Sequence, residues 1–467
     1  MVAVQLGTVG VTLARNSGYS LPVTSVERRP GLDAKGDTAV MPLHSICIPA
    51  SPPVDVGALR PLLDHPSFQK LRGRKQLGVN YLVFPGAVHT RFEHAVGCLG
   101  LTQRLGRIHS LGEEQRRLLC AFALVHDIGH GPFSHQIEPI LGGNHHEYGL
   151  RCLDNMRGEL RECGVGFDDI AAMMRGQQGL AQWVTDRNLG TDKLDYLMRD
   201  ALHIGFAGAP DIEKIQFYTV LDGDILAIEE KFIEEVKRLQ KFYSYLHQHG
   251  YLNKAALSAQ RLLQRAVQEE FAMRRSAEPQ DLWPMTDEDL TGWLRSGRSA
   301  VARRLEARLA SRRLHRTVLA IRPEGYGFVE RCSGKPMHVL EWPRPPLRRF
   351  AEFCADCQAL FALEERLAAC CGLPAGDILV APMPYFRKLL PQDVRIYSAG
   401  AEGGFGLFEK DRDHVRSLEG DYLRTFAVRV IAVPEERERV ARQWERLAAI
   451  IREACGSDGV AAAGSPG

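Results

Sequence analysis

The chain has 467 residues and a mass of 52.0 kDa, enough for roughly two to three domains at ~150 residues each. With 45% hydrophobic and 25% charged residues, it has the composition of a globular protein with ample core. Its 59 basic and 57 acidic residues leave a formal net charge of +2, which argues against a general electrostatic grip on nucleic acid. No run approaches the ~18 consecutive apolar residues of a membrane span.

Residues 1–40 mix Gly, Pro, Ser and charges without a sustained period, so a loosely ordered leader with one short strand is expected. The start lacks the charged region and compact apolar block of a signal peptide. The eleven cysteines, odd in number and scattered, fit a cytosolic pattern. A cytoplasmic location is therefore expected. From 57 to 275 helical spacing dominates. EEQRRLLCAFALVHDIGH, starting at Glu113, turns from polar to apolar and ends at His126 and Asp127. A longer amphipathic stretch begins IEEVKRLQKFYSYL and has a break expected at Gly250. From about 315, RTVLAIRP, DILVAP, VRIYSAG and FAVRVIAVP read as short strands among helices, hence a smaller α+β lobe. Cys354, Cys357, Cys370 and Cys371 cluster on helical apolar spacing. Adjacent Cys370 and Cys371 make a poor second pair for zinc, so these cysteines are read as helix core. The tail from 456 to 467 is expected to be disordered.

The chemistry concentrates between 64 and 200. His126-Asp127, at the end of a buried helix and followed by Gly129, Gly131 and Pro132, offers a ring nitrogen and a carboxylate oxygen to one point. That pair suits a divalent cation. Two ligands do not make a site. His94, read as opening one helix, and Asp192, read as opening another, complete a set with positions left open for water and substrate. Spacing alone does not single these four out among sixteen histidines. On a helix from Asp192, Tyr196 and Arg199 share its face, and Asp200 stands two turns beyond Lys193.

In order along the chain, HPSFQKLRGRKQLGVNYLVFPGAVHTRFEHAVG, HDIGHGPFSH, HHE and DKLDYLMRD resemble the HD-domain phosphohydrolases, and within them the deoxynucleoside triphosphate triphosphohydrolase branch. The likeness covers about residues 60–206. It implies a mostly α HD fold over 41–275, followed by a helical connector and α+β lobe over 276–455. It also implies one divalent metal ion per site (Mn, Fe, Zn, Mg or Ni) on His94, His126, Asp127 and Asp192. By the same resemblance His146 is the general acid with Glu147 as its orienting carboxylate. His130 and His135 lie near the α-phosphate, and Glu138 holds a catalytic histidine. Arg91 and Lys193 meet phosphate, while Gln76, Leu77, Tyr196, Asp200 and Tyr251 surround the sugar and exclude a 2′-hydroxyl. Asp64, Gln69 and Arg72 match positions that read a GTP or dGTP effector, their plain alternative being helix caps and a surface ion pair. A homo-oligomer, dimer to tetramer, is implied, with no membrane or nucleic-acid partner.

The expected reaction is water attack on the α-phosphorus, releasing deoxynucleoside and inorganic triphosphate. The chain departs from the family pattern at HSICIPASPPVD and at Tyr243, where the branch carries a phosphate-binding arginine. Two alternatives therefore stand. One is an HD phosphatase acting on a nucleoside monophosphate, modified nucleotide or biosynthetic phosphate. The other is a nucleic-acid-binding or regulatory protein on an HD scaffold.

Overall fold

The computed structural model describes residues 44–274, 278–327, 333–385, 389–398 and 403–456. The expected leader and tail lie outside them, except for residue 456. Thr90, with an extended backbone, accepts a hydrogen bond from Glu93 N and so starts helix α1, Arg91–Ile108. That start lies three residues before His94, which therefore sits one turn inside the helix. Helix α2, Glu113–Val125, packs along α1. Its apolar face, Leu119, Phe122, Leu124 and Val125, is wholly buried. Helix α3 is His145–Asp154. Helix α4, Thr191–Ile204, also lies on α1 and begins one residue before Asp192.

The expected break near Gly250 is a turn of π-helix, His247–Tyr251, between α5, Ile233–Leu246, and α6, Lys254–Met273. Asn253 restarts the helix by accepting from Ala255 N at 2.9 Å.

Besides a short antiparallel pair, Ser45–Ile46 with Val54–Asp55, the described strands form two four-stranded sheets. In the first, β1 (Thr219–Asp222) and β2 (Ile225–Glu229) make a hairpin. In the second, β3 (Arg316–Pro323) lies between β4 (His338–Trp342), parallel, and β8 (Val428–Ala432), antiparallel. The strand β5 (Ile378–Ala381) closes that sheet against β8. The remaining strands, β6 (Arg395–Tyr397) and β7 (Gly404–Gly406), do not join it. Instead β6 pairs in parallel with β2, because Val394 and Ile396 are buried in the first core. The VRIYSAG strand thus leaves the lobe in which it was expected.

The described residues belong to one compact unit with two large cores. One is built from α1, α2 and α4 and reaches β6. The other joins α6 to the β3–β8 sheet and to α7, Cys357–Cys370. Cys354 and Cys371 are buried in that second core, while Cys357 and Cys370 are half-buried. Among the described residues no helix is long and apolar enough to cross a membrane.

Candidate active site

At the end of α2 the chain turns through His126–Ser134, with Phe133 and Ser134 both in the left-handed region at φ 52° and 53°. Such non-glycine conformations cost ~1–3 kcal/mol each and persist where surroundings impose them. Here Asp287 does so: its carboxylate accepts from Phe133 N at 2.7 Å and from Lys75 N at 2.9 Å. The braced turn faces a cleft of about 910 Å³.

Four side chains converge on one wall. His94 Nε2 lies 3.7 Å from Asp127 Oδ2 and 3.1 Å from Asp192 Oδ1. His126 Nε2 lies 3.6 Å from Asp127 Oδ1 and 3.6 Å from Asp192 Oδ1. Ligand atoms at ~2.0–2.2 Å from one ion stand about 3–3.5 Å apart, so the set has the right span. Both Nε2 atoms are buried without a hydrogen-bond partner. Their Nδ1 atoms are committed, that of His126 to Ala123 O at 2.9 Å and that of His94 to Asp195 Oδ2 at 2.8 Å. Lone pairs and carboxylates aimed at one point make a site that a divalent ion fits.

Electrostatics agree with that fit. Burial alone would pull His94 down, but Asp192 and Asp195 outweigh it and hold the ring up at about 10. Burial would raise Asp127, yet His130, His126 and Arg91 keep its carboxyl well below the usual range. Asp192 is likewise lowered against burial, by His126 and His94. The pocket favours positive charge.

A second group stands beside the first. Glu138 holds two imidazoles through their Nδ1 atoms, His135 at 2.9 Å and His145 at 2.8 Å. Those bonds outweigh burial and hold the Glu138 carboxyl far below its ordinary value. The His145 ring stacks on His130 at 4.0 Å and tilts against His146 at 4.1 Å. Burial, reinforced by Arg91, pushes His130 well down, and burial lowers His146. His130, His135, His145 and His146 all line the cleft.

Glu147 is placed otherwise than expected. It trades hydrogen bonds with Asn144 at the start of α3, at 2.9 and 3.0 Å, and caps that helix instead of orienting His146. Arg91 lines the cleft but is tied internally, to Asp127 and to Ser134 Oγ at 2.6 Å. Lys193 is buried, and its Nζ stands 3.2 Å from the centre of the Tyr243 ring. Burial pulls its amine down to about 7.

Gln76, Leu77, Tyr196, Asp200 and Tyr251 all line the cleft. Asp200 is engaged on both oxygens, by His89 Nε2 at 2.7 Å and by Tyr251 Oη at 2.5 Å. Asp64, Gln69 and Arg72 are not on the cleft. They lie on three short pieces, Arg60–Asp64, Pro66–Gln69 and Lys70–Gly73, not on one helix. Asp64 accepts from Arg60 Nε at 3.0 Å, Gln69 accepts from Arg72 Nε at 2.8 Å, and Arg72 covers the Phe92 ring at 3.5 Å.

Sequence reading missed several residues. Asp195 orients His94 and is itself held by Arg199 Nε at 2.9 Å. Arg199 lies on the same side of the helix as Asp192 and is spent on Asp195 and Glu93. The spacing of Asp195 from Asp192 and Arg199, three and four residues, was a usable signal. His145 and Asp287 gave none, because their partners are set by tertiary folding. His247, on the π-helical turn, lines the cleft with an unpartnered Nδ1.

The HD domain family model matches residues 91–200, the segment that contains all four converging ligands. The chain therefore carries an HD domain over that segment. An uncharacterized protein of Methanocaldococcus jannaschii is 29% identical over 252 residues, 53% of this chain and 54% of that one. A Dictyostelium discoideum protein, "Deoxynucleoside triphosphate triphosphohydrolase SAMHD1 homolog", is 29% identical over 233 residues, 44% of this chain and 45% of that one. The chain thus spans about half the length of the curated relatives it matches. The structure of a phosphohydrolase from Bacteroides thetaiotaomicron superposes with a TM-score of 0.62 at 18% identity, over 83% of this chain and 99% of that one, a likeness of fold.

Proposed function

We propose that the cleft hydrolyses deoxynucleoside triphosphates to deoxynucleoside and inorganic triphosphate. The observation that carries this reading is one cleft lined by three parts: His126, Asp127 and Asp192 of the ligand set, with His94 fully buried beside them, the Glu138-held histidines, and the wall of Tyr196, Asp200 and Tyr251. A divalent ion on the ligand set supplies Lewis-acid polarisation of a phosphoryl oxygen and a more acidic water. Asp195 fixes the ring of His94, and Arg91 fixes Asp127, so the ligands need no reorganisation.

In the reaction an oxygen–phosphorus bond forms at the α-phosphorus and the bond to the 5′-oxygen breaks. The departing alkoxide takes a proton from a cleft histidine. His146 and the Glu138-bound His135 face the cleft for that role, worth ~10²–10⁴ in rate. Tyr251, fixed on Asp200, and Tyr196 press on the sugar and leave no room for a 2′-hydroxyl.

A second reading, an HD phosphatase on a monophosphate, is favoured by one observation: Arg91 is committed to Asp127, and Lys193 is not on the cleft. Metal-supplemented incubation with each dNTP and NTP, read by chromatography, decides between them. Triphosphate release supports the first reading, orthophosphate alone the second. Equal turnover of GTP and dGTP overturns the sugar assignment. The same rates with added GTP, beside light scattering, test the effector and oligomer expectations.

A further inference from the structure

We propose that Arg187 is a phosphate-binding residue of this cleft, meeting the distal end of a polyphosphate substrate. The proposal deepens the triphosphate reading and rests on it for its substrate class. Among the described residues three arginines and no lysine line the cleft. Arg91 is bound to Asp127 and Ser134. Arg261 is bound to Glu364 through Nε and Nη2, both at 2.7 Å. Arg187 alone of the three has no hydrogen-bond or ion-pair partner, and it is exposed.

That freedom is not slackness of the loop. Asp186 Oδ1 accepts from Asn188 N at 2.9 Å and Leu189 N at 2.7 Å. Asn188 donates to Asp393 O at 3.3 Å. At Gly190 a Cβ would stand 2.4 Å from Val184 O and 2.7 Å from Asp186 N, so the chain is folded too tightly there for any side chain. Every polar neighbour is tied, and the guanidinium is left at the mouth, five residues before Asp192. It lines the cleft together with Tyr243, and its charge acts on that phenol.

A polyphosphate brings charge beyond what a divalent ion on the ligand set would meet at the reacting phosphorus, and Arg91 is already committed to Asp127. A guanidinium is permanently charged, and its planar fork matches phosphate oxygens in pairs. An exposed arginine at the opening meets the phosphates farthest from the reacting one.

The test is calorimetric titration of inorganic triphosphate and of orthophosphate into wild type, Arg187→Gln and Arg187→Lys. The expected result is about ten-fold weaker triphosphate binding in Arg187→Gln, partial recovery in Arg187→Lys, and little change for orthophosphate. With deoxynucleoside triphosphates, KM rises by more than kcat falls, and thermal melting stays at the wild-type value. If wild type turns over no deoxynucleoside triphosphate yet binds triphosphate through Arg187, the substrate reading fails and this one stands. Equal triphosphate binding by wild type and Arg187→Gln, an equal loss for orthophosphate, or no triphosphate binding by wild type overturns it.

Discussion

Each of the two large cores buries a cluster of charge, and the clusters follow opposite plans. In the second core Glu364 accepts from Arg261, from Arg265 Nη1 at 3.0 Å and from Val380 N at 2.8 Å. Arg265 also donates to Glu269 at 2.8 Å. Donors meet acceptors inside the protein, and nothing more is required. In the first core Asp127 and Asp192 stand against His94 and His126, whose Nε2 atoms have no hydrogen-bond partner. Burial of charge is common to both. Only the cluster with carboxylates in excess of its internal donors draws in positive charge, a proton or a metal ion.

The histidines repeat the contrast. His94 and His315 are both buried, yet carboxylates lift the first to about 10 and burial drops the second to about 4.

Mutation of the two clusters should separate function from stability. His126→Ala is expected to lose bound metal and turnover together while its denaturant midpoint moves little. Metal analysis and rate measurement on the purified variant check this, and near-normal metal with a near-normal rate breaks the assignment. Glu364→Gln should do the reverse. It strands two buried guanidinium groups and costs about 3–5 kcal/mol of stability by urea denaturation, with activity per folded molecule retained. Asp195→Asn sharpens the first cluster. It keeps the shape but weakens the hold on His94 Nδ1, so metal affinity should fall ~10–100-fold by competition with a chelator. An unchanged affinity would leave Asp195 a packing residue.

The two regions also differ in how much of them could be read beforehand. His126-Asp127, Asp192 and the Tyr196–Asp200 face were legible because family motifs singled them out and each lies within one turn or one helix, where direction is local. Glu147 was paired with His146 by the same resemblance, but it stands three residues after Asn144, whose side chain accepts from Glu147 N and caps the helix. Glu138 reaches His145 because Gly142 and Gly143, both at positive φ, turn the chain back between them. Three strands of the second core, β3, β5 and β8, were visible as apolar runs, whereas β4, HVLEW, was not. Sheet membership was not visible either, because β6 is claimed by burial of Val394 and Ile396 in the other core.

The smallest expected effect belongs to His315, the closed region's counterpart to His94. Its Nε2 bonds Gly376 O at 2.8 Å and its Nδ1 has no partner. No carboxylate is bonded to it; the charged groups acting on it are Arg308, Glu435 and Arg304. Burial holds its folded pKa near 4, below the ~6.5 of an unfolded histidine. Between those values the unfolded chain binds the extra proton, so stability falls as pH drops from about 6.5 and levels off below about 4. One proton is worth ~1.4 kcal/mol per pH unit across that window. Carboxylates titrate there too, so the measurement is a difference. His315→Gln keeps a donor for Gly376 O and has nothing to protonate. Urea midpoints of both proteins at pH 7, 6 and 5 should diverge at pH 7, where wild type is favoured most, and converge on acidification. A gap that stays constant with pH would mean that His315 titrates alike in the folded and unfolded chain, and that burial does not govern this histidine as it governs the contrast with His94.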